Sequence, residues 1–157
     1  MKKKLVRTIA LLALAAGGIA FAQSAPDFGG TWVLNTAKGK NLPMGGAVQE
    51  TVVAAQTPAK LTLDISATFQ GNTTRRQVSY DLTGKPAQNE SAMGDKSETV
   101  AKWDGAKLVV TWTSAGAIAG TTNVRTETRW LSADGRTMNV TSQRGTNPPT
   151  EMVYEKK

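Results

Sequence analysis

The chain has 157 residues, a single domain's worth of sequence, and it contains neither Cys nor His. Without Cys there is no disulfide scaffold, thiol nucleophile or thiolate metal site; without His there is no Ser-His-Asp triad and no zinc-protease site. Its 19 basic and 12 acidic residues give a formal charge of +7, but the basic residues are scattered rather than clustered as in a nucleic-acid binder.

The first segment reads as an export signal. Lys2, Lys3, Lys4 and Arg7 precede an apolar run from Ile9 to Ala22 that closes on Ala20-Phe21-Ala22. A basic stretch, a short apolar stretch and a small-x-small site make a secretory signal peptide over residues 1–22. The run falls short of the about 20 apolar residues needed to cross a bilayer. Cleavage after Ala22 predicts a periplasmic or secreted, monomeric domain over 23–157. It would hold 15 basic and 12 acidic residues, a net charge of +3.

The remainder predicts antiparallel β structure. Thr is abundant, Val is frequent, and short alternating runs are separated by turn signals. Predicted strands in chain order cover 30–34, 48–56, 60–68, 74–82, 97–103, 106–114, 121–132, 136–143 and 150–155. Asp104-Gly105 and Asp134-Gly135 are hairpin signals, because a type I′ turn needs positive φ. Eight to nine strands in sequential hairpins form an up-and-down meander, and closure into a small barrel removes its exposed edges. Alternation assigns an inner face to Leu61, Leu63 and Ile65, to Val78, Tyr80 and Leu82, and to Leu108, Val110 and Trp112. The same reading turns Val124, Thr126, Thr128 and Trp130 inward and Glu127 outward.

The opening Asp27-Phe28-Gly29-Gly30-Thr31-Trp32-Val33-Leu34-Asn35 resembles the F-x-G-x-W-x-L start of small bacterial lipocalin-like periplasmic proteins. It contains the wider lipocalin Gly-x-Trp signature as Gly30-Thr31-Trp32. The tail, Leu131 to Val140 and then Val153-Tyr154-Glu155-Lys156, is similar to the same group. The resemblance covers roughly a fifth of the chain and implies a lipocalin-like barrel. It also implies a Trp32 that plugs one barrel end and an Arg laid over that ring. Arg144 is the candidate for that Arg, and Arg129 is the competitor. Gly30 lets the chain turn in close. The middle Thr-Asp-Tyr signature of lipocalins is absent, as is a C-terminal helix.

Two readings of function stand side by side. In the first, a small, mostly apolar ligand sits in the barrel, contacted by Tyr80, Trp112, Thr126, Thr128 and Trp130. Arg76, on the same strand face as Val78 and Tyr80, would hold an acidic group of that ligand. The segment Leu42-Pro43-Met44 could lie over the barrel mouth. In the second, the interior is packed and the protein is a non-enzymatic structural or interaction module of the envelope. Neither requires a cofactor or metal, and no catalytic residues are nominated.

Overall fold

The computed structural model describes residues 25–157; the expected signal peptide lies outside the described residues. Ten antiparallel strands follow in chain order: β1 (Gly30–Leu34), β2 (Gln49–Gln56), β3 (Lys60–Phe69), β4 (Asn72–Asp81) and β5 (Ala87–Glu90). The second half continues with β6 (Lys96–Asp104), β7 (Lys107–Ala115), β8 (Thr122–Leu131), β9 (Thr137–Arg144) and β10 (Thr150–Lys156). They form one sheet in the order β4-β3-β2-β1-β10-β9-β8-β7-β6-β5. The expected up-and-down barrel is therefore the observed architecture, with β5 as a strand beyond those expected.

Closure occurs in two ways. β1 pairs with β2 on one side and β10 on the other, so the chain ends are joined by ordinary ladders. β4 and β5 share no ladder. There Asn89 reaches from β5 so that its Oδ1 accepts the Ser79 N–H at 2.8 Å and its Nδ2 donates to the Ser79 carbonyl at 2.8 Å. A side-chain amide has the same donor and acceptor as a peptide group, so it satisfies an edge residue that would otherwise need a strand.

The two ends of the barrel differ. At the closed end Trp32 is fully buried, and its Nε1 donates to the Phe28 carbonyl at 2.8 Å. Phe28 stacks parallel to Trp103 at 6.1 Å, and its N–H donates to Gln56 Oε1. Leu61, Leu63, Val78, Leu108 and Met138 complete this apolar floor. Ala25, where the described chain begins, frames a shallow recess here with Gln56, Leu82 and Trp103. Gly30 sits at φ +125°, and a Cβ there would come within 2.7 Å of Lys156 Cε. A side chain at this position would push Lys156 off the Trp32 ring, over which its Nζ lies at 5.2 Å.

Lys156, not Arg144, therefore covers Trp32. Arg144 is exposed at the far end of β9, opposite Arg125. The reason is strand parity. With β5 included, β9 is an odd-numbered strand and runs parallel to β1, so its last residue lies at the end opposite Trp32. Arg129 does not cover Trp32 either; it is committed inside the barrel, as described below.

At the open end the β1–β2 connection forms a strap. Lys40 exchanges both backbone hydrogen bonds with Glu151 of β10, at 2.8 and 2.9 Å, in line with the end of β1. The strap then turns through a short 3-10 segment, Pro43–Gly46.

Candidate functional site

The lower half of the barrel is packed and the upper half is hollow. A cavity of about 560 Å³ opens toward the strap, within the range of small-molecule sites. Its larger apolar lining residues are Leu34, Leu42, Pro43, Met44, Val48, Ile65, Phe69 and Met152. β3 supplies Ile65 and Phe69, β10 Met152 and β1 Leu34; Val48 lies just before β2, and the strap supplies Leu42, Pro43 and Met44. Five charged residues, Glu50, Arg76, Arg125, Glu127 and Arg129, share this lining together with Tyr154; Ile65 pairs with Arg76, and Met152 and Arg129 both pair with Val140. Three guanidinium groups against two carboxylates leave this region one charge positive.

Glu127 and Arg129 form the central pair. They lie two residues apart on β8, which puts both on one face. Each is about 95% buried. Arg129 Nε donates to Glu127 Oε1 at 2.8 Å, and its Nη2 forms an ion pair with the same oxygen at 2.6 Å. The Tyr80 hydroxyl crosses the barrel from β4 to donate to the same oxygen at 3.2 Å. Burial would raise the Glu127 carboxyl, but the charges of Arg129 and Arg125 and these hydrogen bonds outweigh it and hold the carboxyl below its ordinary value. Glu127 is thus a buried, ionised carboxylate.

Around this pair the other polar groups are more loosely held. The Tyr154 hydroxyl donates to Glu50 Oε1 at 2.6 Å, while Arg76 Nη2 stands 4.0 Å from Glu50 Oε2. Arg125 lies over the Trp112 ring at 4.3 Å and has no ion-pair partner among the described residues. Trp112 also meets Tyr80 edge-on at 6.0 Å. Trp112 Nε1 is the one enclosed side-chain polar atom among the described residues without a hydrogen-bond partner.

The nominated residues divide accordingly. Arg76 lines the cavity, and Tyr80 and Trp112 are buried beneath it. Thr126, Thr128 and Trp130 are on the outer face of β8. Thr126 is exposed beside Thr111, Thr128 stands opposite Thr141, and Trp130 lies under Lys107 at 5.2 Å. Glu127, expected outside, is inside. The expectation failed because apolar content was used to choose the inner face, and β8 carries Val124 and Trp130 outward and its charges inward. A usable signal was present: Leu131 shares a face with Glu127 and Arg129 and pairs with the buried Met138. Glu50, Arg125, Arg129, Met152 and Tyr154 were not nominated as ligand contacts.

Fold and cavity together define a ten-stranded antiparallel β-barrel with an internal cavity. No protein-family model and no curated protein matches the chain. Among solved structures, it is similar to a Schistosoma mansoni fatty acid binding protein in complex with arachidonic acid, at 19% identity and TM-score 0.63. That match covers 82% of this chain and 96% of that one. Lipid binding protein 8 of Caenorhabditis elegans aligns at 14% identity and TM-score 0.64, over 83% of this chain and 95% of that one. The wild-type fluorescent protein UnaG aligns at 19% identity and TM-score 0.64, over 83% of this chain and 97% of that one. At these identities the shared property is the fold.

Proposed function

We propose that the protein is an exported, non-catalytic carrier that holds one small, mostly apolar molecule in the upper half of the barrel. The observation that carries this reading is the cavity of about 560 Å³, whose lining combines apolar side chains with a cluster of charged ones. A packed interior would have left no such space. The mixed lining suits an amphiphile: its apolar part lies against Ile65, Phe69 and Met152, and its polar end meets Arg76 and Arg125. Burial of apolar ligand surface contributes roughly 25 cal/mol per Å² before ordering costs. The basic, apolar and small-residue pattern of residues 1–22 supports export, and the solved lipid-binding barrels of the same fold support a lipid-like ligand.

Native mass spectrometry of the protein purified from its own host tests this. An added mass that disappears on denaturation is expected, together with binding of 1-anilinonaphthalene-8-sulfonate to the emptied protein. A bare mass and no probe binding would overturn the carrier reading.

A further inference from the structure

The lining of the cavity holds an acceptor that the protein leaves unused. Both hydrogen-bond donors to Glu127, Arg129 Nε and the Tyr80 hydroxyl, and the ion-pair contact from Arg129 Nη2 converge on Oε1. Oε2 has no hydrogen-bond partner among the described residues. Glu127 lines the cavity, and the sole enclosed and unpartnered side-chain atom is Trp112 Nε1, so Oε2 is reached from the cavity. A carboxylate oxygen that opens on the cavity without a protein donor takes its donor from whatever fills the cavity.

Two guanidinium groups in the same cavity lining have spare donors. Arg125 has no ion-pair partner among the described residues, and Arg76 is only loosely held at 4.0 Å from Glu50. An ionised carboxylate accepts hydrogen bonds but donates none. A ligand ending in a bare carboxylate would therefore meet the arginines but leave Oε2 without a donor from the ligand.

Building on the carrier reading, we infer that the ligand's polar end carries a hydroxyl or amide N–H that donates to Glu127 Oε2, beside an acceptor group that engages Arg125 or Arg76. The ligand class is an amphiphile with a donor–acceptor head, such as a hydroxylated or N-acylated acid, and Glu127 is the residue that selects it.

Calorimetric titration of the purified protein with 3-hydroxytetradecanoate, N-dodecanoylglycine, tetradecanoate and 3-methoxytetradecanoate tests the inference. At least one of the two donor-bearing ligands should bind about tenfold more tightly than tetradecanoate, the size of one hydrogen bond to a charged acceptor. The methoxy acid keeps the bulk of the hydroxy acid but lacks its donor, and should lose any advantage the hydroxy acid shows. The double variant Glu127→Leu/Arg129→Met should bind tetradecanoate and show no preference. Equal affinity for donor-bearing and plain acids overturns the inference and leaves the carrier reading intact. So does a preference that survives in the methoxy acid or in the double variant, or binding of the anilinonaphthalene probe with none of the four ligands. Failure of all four ligands and of the probe overturns the carrier reading itself.

Discussion

Asn89 occupies the position of a missing strand for Ser79: its amide bonds both the N–H and the carbonyl of that residue, and also Thr99 Oγ1 at 2.7 Å. The barrel is thus closed between β4 and β5 by one side chain. Asn89→Ala should lower stability by about 1–3 kcal/mol, since each lost hydrogen bond costs roughly 0.5–1.5 kcal/mol. Amide exchange at Ser79 should accelerate more than in the β2–β3 ladder. Urea unfolding and hydrogen exchange by NMR measure both.

The Glu127–Arg129 pair should behave as a unit. Arg129→Met alone leaves a buried, unpaired carboxylate and should cost about 3–5 kcal/mol, whereas Glu127→Leu/Arg129→Met should cost far less. Denaturation of the two single variants and the double variant completes a cycle whose coupling energy reports the pair directly.

Stability should depend on pH at both extremes. The depressed pKa of Glu127 contributes stability that is fully present above the unfolded value of about 4.3 and is lost as pH falls through the lower folded value. At the other extreme, burial, reinforced by Glu127 for Tyr80 and by Glu50 for Tyr154, raises both phenols. Their contribution is fully present below about pH 10 and is lost as pH rises above it. Melting temperature against pH should therefore show a plateau that falls away below about pH 4 and above about pH 10.

The two barrel ends should respond in opposite ways to substitution. Trp32→Ala removes a fully buried indole and its bond to Phe28, and should cost about 3–5 kcal/mol. Arg144→Ala, at an exposed strand end, should stay within about 0.5 kcal/mol. Chemical denaturation of the two variants distinguishes the Lys156 cover from the expected Arg144 one.

Ligand affinity should follow the cavity rather than the outer threonines. Ala67→Trp places an indole in the hollow half, and should weaken probe binding by about tenfold or more as the space is filled. Thr126→Leu, on the outer face, should change it by less than about twofold. Fluorescence titration with 1-anilinonaphthalene-8-sulfonate separates the two.

The architecture was legible wherever apolar residues alternate. Leu61, Leu63 and Ile65 on β3, and Leu108, Val110 and Trp112 on β7, are buried as their spacing predicts. It was illegible where alternation carries another chemistry. β5 reads Ala-Gln-Asn-Glu, with nothing apolar after Ala87, because its role is to present Asn89 to β4. Omitting it shifted the direction assigned to β9 and misplaced Arg144. On β8, cross-barrel electrostatics hold Glu127 and Arg129 inside, and the residues they pair with lie on strands whose juxtaposition exists only in the closed barrel. Arg76, Tyr80 and Trp112 were found because each shares a face with apolar neighbours. Glu50 carried the same signal, since it shares a face with the buried Val52 and Ala54, whereas Arg125 shares its face with Glu127 and Arg129 and has no apolar neighbour to mark it.

The position of Ala25 beside Leu82 and Trp103 has a mechanical consequence. Whatever the chain carries ahead of that residue is attached at the base of the barrel, as a string is tied to the bottom of a cup. Anything joined there stands at the sealed end and leaves the cavity mouth at the opposite end unobstructed.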